Sequence, residues 1–279
     1  MQPISPDIRH TASAAQDAGP ADYPRFLAAV ALAQLTSWLP AAPELLIDIS
    51  GPGSRAAEVA VRAGHSVLRV AAPEGADPGP AGTLAGGPPA GLGGGSHPIG
   101  RSPGGRPPAA SAGRLVTVTA EGGGLEFLAD GCADGVIAED RALSLRLAAE
   151  DLVTEIARVL RPGGRVFACV DSLTFGMAVL AEQHRWPHLV DVPNADVVLI
   201  PWPDGTITRC YGSEQLGELL TGCGLEVSWI RPRTVFSPQT VSYLLARDPG
   251  RFGALVNAEL RARADDSVGT QLVACAVRP

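Results

Sequence analysis

The sequence contains no lysine: all 22 of its basic residues are arginine, set against 29 acidic residues for a net charge of −7. Without lysine there is no Walker-type phosphate loop, no kinase-type lysine, and no Schiff-base or pyridoxal chemistry. The acidic balance, with an isoelectric point near 5.2, argues against a nucleic-acid backbone or an anionic membrane as partner. Cysteine is scarce. The five residues (Cys132, Cys169, Cys210, Cys223, Cys275) are scattered and show no C-x-x-C spacing, so neither a disulfide framework nor a zinc site is expected. Long hydrophobic runs are also missing. The best, Phe26 to Leu35, is half of the roughly 20 residues a membrane helix needs. The first twenty residues carry acids and polar groups where a signal peptide needs an apolar stretch. A soluble, cytoplasmic protein is the expectation.

What is present is a globular composition, 46% apolar and 18% charged, able to bury a core. It is unevenly distributed. Between Pro73 and Gly113 lie 41 residues of which 13 are glycine and 9 proline. Such a stretch has too little apolar surface to offset its ordering entropy. The expected organisation is a flexible terminus over 1–21 and a single domain over 22–279, interrupted by a disordered insertion at 73–113.

Outside the insertion, helical and strand patterns alternate. Apolar spacing predicts helices over 22–39, 54–63, 147–160 and 213–221, with helical segments between 238 and 264. Short apolar runs predict strands at 44–49, 66–71, 114–119, 133–138, 165–170, 225–230 and 270–277. Strands separated by helices imply crossover connections and a largely parallel sheet covered on both faces. The fold class is α/β, doubly wound.

Ligands of such sheets bind beyond the carboxyl ends of the strands. The first turn there reads Asp48-Ile49-Ser50-Gly51-Pro52-Gly53-Ser54, and its glycines permit close backbone approach. Gly51-x-Gly53-x-x-Ala56 satisfies a relaxed dinucleotide fingerprint, although a short glycine turn also serves simple structural economy. The nicotinamide reading requires an acid about twenty residues on. The second strand instead ends Leu68-Arg69-Val70-Ala71-Ala72. Arg69 is open to two readings, a 2′-phosphate contact or an edge residue.

Asp151 to Val170 runs DLVTEIARVLRPGGRVFACV, a helix closed by Arg161-Pro162-Gly163-Gly164 and followed by a strand. Upstream, Leu125-Glu126-Phe127, Asp130-Gly131 and Asp134 stand in LEFLADGCADGVIAED. Together with Leu45 to Ser54, this ordered set resembles the class I S-adenosylmethionine-dependent methyltransferases of the type 11 kind, from about Glu44 to Asp171, and resumes in the last helix and strands. The resemblance implies a doubly wound, mostly parallel seven-stranded Rossmann-like sheet whose last strand is antiparallel. It implies S-adenosylmethionine as cofactor and methyl transfer to a small-molecule acceptor.

The cofactor residues it implies are Asp48, Ser50, Gly51, Gly53, Glu74, Glu121, Gly122 and Asp140. The motif departs from the family pattern in one respect above all: the acid that holds the ribose falls on Ala71, with Glu74 the nearest substitute. Acceptor-side positions fall after the fifth strand, giving His184, His188, Tyr211 and Asp171 as catalytic candidates. No metal is implied, because Pro187 interrupts the helix that would align His184 with His188. Arg231 and Arg233 read as a solvated pair. Two other classes stay open: a catalytically inactive methyltransferase-like protein that binds or regulates a protein partner, and an NAD(P)-dependent oxidoreductase.

Overall fold

The computed structural model of the chain describes residues 22–51, 54–72, 113–120, 124–192, 195, 197–202, 205–261 and 269–279. The expected flexible terminus and all of the expected insertion except Gly113 lie outside them. Helix α1 (Asp22–Trp38) leads into β1 (Leu45–Asp48), α2 (Ala56–Arg62), β2 (Ser66–Ala71), β3 (Leu115–Thr119) and β4 (Ala133–Ala138). Next come α3 (Ala149–Val159), β5 (Leu160–Ser172), α4 (Leu173–Glu182) and α5 (Trp186–Asp191). A hairpin of β6 (Val198–Pro201) and β7 (Ile207–Tyr211) precedes α6 (Ser213–Gly222) and β8 (Glu226–Arg233). The chain closes with α7 (Pro238–Arg247), α8 (Phe252–Leu260) and β9 (Gln271–Val277).

Strands β3, β2, β1, β4 and β5 pair in that order, all parallel. β9 then runs antiparallel to both β5 and β8. Side chains alternate across the sheet, so each strand feeds two cores. Leu46, Ile137, Phe167 and Cys169 pack against Leu35 and Trp38 of α1 and Ala57 and Ala60 of α2. Ile47, Val136, Val166 and Val170 pack on the other face against Val153 and Ile156 of α3 and Leu216 and Leu220 of α6. Helix α3 reads as amphipathic because Leu152, Val153, Ile156 and Val159 fall on one stripe. Helix α1 has a second apolar side, where Phe26 and Val30 meet Val241 and Leu245 of α7 and Leu255 of α8.

The sheet has nine strands among the described residues rather than the expected seven. The addition is the β6–β7 hairpin, attached at the tip of β5 through Asp171–Cys210 and Ser172–Tyr211. Its strands have four and five residues, too short for a clear period. The sequence Pro203-Asp204-Gly205 between them is of a composition common in hairpin turns. The Pro-Gly-Gly turn opens β5 instead of closing a helix. Gly163, at φ +77°, donates its N–H to the Arg278 carbonyl at 2.8 Å and so clamps the turn to the end of the last strand.

Candidate ligand site at the carboxyl ends of the strands

The turns after β1 and β4 are tied to each other. Ser50 Oγ accepts the Glu139 N–H at 2.9 Å, and the Gly51 N–H points to the Glu139 carbonyl at 3.4 Å. Buried Asp48 holds the first turn from within, accepting the Ser50 N–H at 3.1 Å and the Arg69 Nε–H at 3.3 Å. Arg69 also donates to Glu58 at 2.8 Å. It is thereby committed inside the protein, which removes the 2′-phosphate reading. A Cβ at Gly51 would stand 2.6 Å from Asp140 Oδ2, so any larger residue there must push the Asp140 carboxylate aside. Asp140 and Arg141 follow in left-handed conformations at φ +54° and +59°. Two consecutive non-glycine residues in that region mark a strained turn of the kind found at ligand sites.

Register places four side chains in one row across the sheet. Arg233 pairs with Gln271, Gln271 with Asp171, and Asp171 with Cys210; paired residues share a face. Asp171 is buried, and its carboxylate meets the Arg141 guanidinium at 3.4 Å. Burial dominates, and pushes the carboxyl up to about 6 despite the nearby arginine. The expectation of a solvated Arg231–Arg233 pair is corrected here. Arg231 is exposed and lies over the Trp229 ring. Arg233 is fully buried and binds Glu139 through two hydrogen bonds of 2.9 and 2.8 Å. Nothing in the sequence distinguished them, because the partner is 94 residues away.

Between α1, α2 and this edge opens a cavity of about 490 Å³. Leu27, Leu32 and Leu35 of α1 and Val59 of α2 give it an apolar wall, Arg55 and Arg62 also line it, and Glu139, Asp140, Arg233 and Gln271 form the polar side. Its size and mixed lining suit a small organic ligand.

The remaining candidates sit elsewhere. Tyr211 pairs with Ser172, one position on from Asp171, so it faces the opposite core. There its hydroxyl is buried without a hydrogen-bond partner among the described residues. His184 and His188 are exposed; α4 ends at Glu182 and a new helix begins at Trp186 with Pro187 in its first turn. Among the described residues no group of three metal-ligating side chains forms, and no helix is long and apolar enough to cross a membrane. Gly53, Glu74, Glu121 and Gly122 lie outside the described residues. Ala71 ends β2 with no carboxylate of its own.

The antiparallel β9 between β5 and β8 separates this sheet from the all-parallel dinucleotide fold. Two solved structures share the overall fold. One is a SAM-dependent methyltransferase from Methanosarcina mazei, with a TM-score of 0.51 and 14% identity over 88% of this chain and 96% of that one. The other is a candidate S-adenosylmethionine-dependent methyltransferase from Listeria monocytogenes, with a TM-score of 0.52 and 13% identity over 90% and 98%. The fold is that of the class I S-adenosylmethionine-dependent methyltransferases. No family model matches the chain, and no curated protein matches it significantly. Against the methyltransferase fold, the β6–β7 hairpin is an addition to the seven strands expected from the sequence.

Proposed function

We propose that the chain binds S-adenosylmethionine at the joined turns after β1 and β4 and transfers its methyl group to a small-molecule acceptor held between α1 and α2. The observation that carries this reading is the cavity of about 490 Å³ at that edge, with Glu139 and Asp140 on its polar side. The residues present suit the cofactor's charge. Asp140 provides a carboxylate toward a ligand bearing ammonium and sulfonium cations, the Glu139 carboxylate being paired with Arg233, while Arg55 offers a cation toward the ligand's carboxylate. Ser50, Gly51, Glu139 and Asp140 would hold the group, with Asp48 fixing the turn beneath them. Gly53, Glu74, Glu121 and Gly122 complete the proposed set from outside the described residues. When bound, the cofactor supplies an electrophilic methyl on sulfur.

The chain's own contribution is chiefly positioning, which can be worth about 7–11 kcal/mol in well-oriented cases. The apolar wall from α1 and α2 excludes water from the acceptor. Asp171, in the same row as Gln271, is buried and does not line the cavity; it supports the site from beneath by holding Arg141.

A second reading, a binding protein on the same scaffold that has lost turnover, is favoured by two observations. Ala71 replaces the ribose-binding acid, and the Asp140 carboxylate crowds Gly51. Ultraviolet crosslinking of labelled S-adenosylmethionine, mapped by peptide mass, tests the main proposal. Label in the peptides spanning residues 45–62 and 133–146 is expected. Label spread over the chain, or absent, contradicts it.

A further inference from the structure

Glu139 is the junction of the site. Its backbone joins Ser50 and Gly51 of the first turn. Its carboxylate accepts the N–H of Asp140 at 3.3 Å and both guanidinium N–H groups of Arg233. Arg233 in turn donates its Nε–H to Gln34 Oε1 of α1 at 2.6 Å and approaches Cys169 Sγ at 3.3 Å. One buried guanidinium therefore links the strained Asp140–Arg141 turn on one side of the cavity to the helix that forms its apolar wall. Helix α1 is also held by Leu35 and Trp38, which pack on the sheet, and by Phe26 and Val30, which meet α7 and α8; Gln34–Arg233 is its polar link to the cavity edge.

A buried ion pair is an inefficient way to stabilise a fold, because desolvation of both charges cancels much of their attraction and well-packed apolar residues serve as well. What the pair offers is directional fixing of the atoms it bonds. We propose that Arg233 is a positioning residue: through Glu139 and Gln34 it sets the spacing between the Ser50–Gly51 and Asp140 turns and helix α1, and so fixes the shape of the ligand cavity. This inference rests on the reading of the cavity as a cofactor and acceptor site, and its test separates the two.

The test compares full-length wild type, Arg233→Met, Glu139→Leu, the double variant and Gln34→Ala. It uses thermal unfolding, amide hydrogen exchange and calorimetric titration with S-adenosylhomocysteine. Either single change at the ion pair leaves an unpaired buried charge and lowers the midpoint sharply. The double variant regains most of that loss, since the buried charges leave together. Positioning nevertheless stays lost: exchange in peptides covering 22–38 and 139–141 is expected to rise about tenfold, and product affinity to fall about tenfold or more. A double variant with wild-type exchange and wild-type affinity overturns the proposal, because the pair is then structural alone.

Gln34→Ala keeps the ion pair and guards against failure of the double variant to fold. A midpoint close to wild type with about tenfold faster exchange in 30–38 supports the link, and unchanged exchange there overturns it. If wild type binds no S-adenosylhomocysteine, the proposed function fails, while the exchange data still decide whether Arg233 positions α1.

Discussion

Asp171 and Arg141 face each other at 3.4 Å across the end of the central strand, and the arginine does not compensate for the burial of the carboxylate. The native state therefore keeps a proton that the unfolded chain releases, from the ordinary 3.8 up to about 6. The sign follows from linkage. This group's contribution to stability is fully present below pH 3.8 and is lost as pH rises through 6.

Asp171→Asn lacks that titration. Its unfolding free energy relative to wild type should shift in the variant's favour by about 2 kcal/mol between pH 4 and pH 7. Denaturant melts at the two pH values check this. A difference that stays constant with pH would show that the carboxyl titrates normally.

Gly51→Ala places a methyl 2.6 Å from Asp140 Oδ2. Displacing the carboxylate is expected to cost about 1–3 kcal/mol of stability, typical of overpacking. Cofactor affinity should fall with it. Adding Asp140→Ala should recover most of the stability, and a thermal melt of the double variant reads this out.

Tyr211→Phe removes a hydroxyl that is buried without a partner among the described residues. The variant should be as stable as wild type, or more stable by about 1 kcal/mol, with ligand affinity unchanged. Loss of binding would put Tyr211 back among the site residues.

His184→Ala and His188→Ala alter exposed side chains. Stability should stay within about 0.5 kcal/mol of wild type, and affinity within about twofold. A large loss for either would mean that α5 reaches the ligand.

Much of the scaffold was legible because its signals are local. The alternation of apolar runs and helical stripes, the Arg161-Pro162-Gly163-Gly164 turn and the Ser50–Gly51 turn each fit within a window of about 20 residues. The site was less legible because its chemistry is set by pairings across the sheet. Arg233 looked identical to Arg231, and only its partners Glu139 and Gln34, 94 and 199 residues away, separate the buried one from the exposed one. Arg69 was ambiguous for the same reason, its two carboxylate partners lying 11 and 21 residues away. Tyr211 and Asp171 both read as post-strand polar residues. The β5–β7 register, invisible in sequence, sends them to opposite faces of the sheet.

The most direct measurement is calorimetric titration of the full-length chain with S-adenosylmethionine and with S-adenosylhomocysteine. The account predicts saturable, micromolar, one-to-one binding of both that Gly51→Ala weakens. A flat titration at millimolar ligand would contradict it, leaving a methyltransferase-shaped protein whose cavity holds something else.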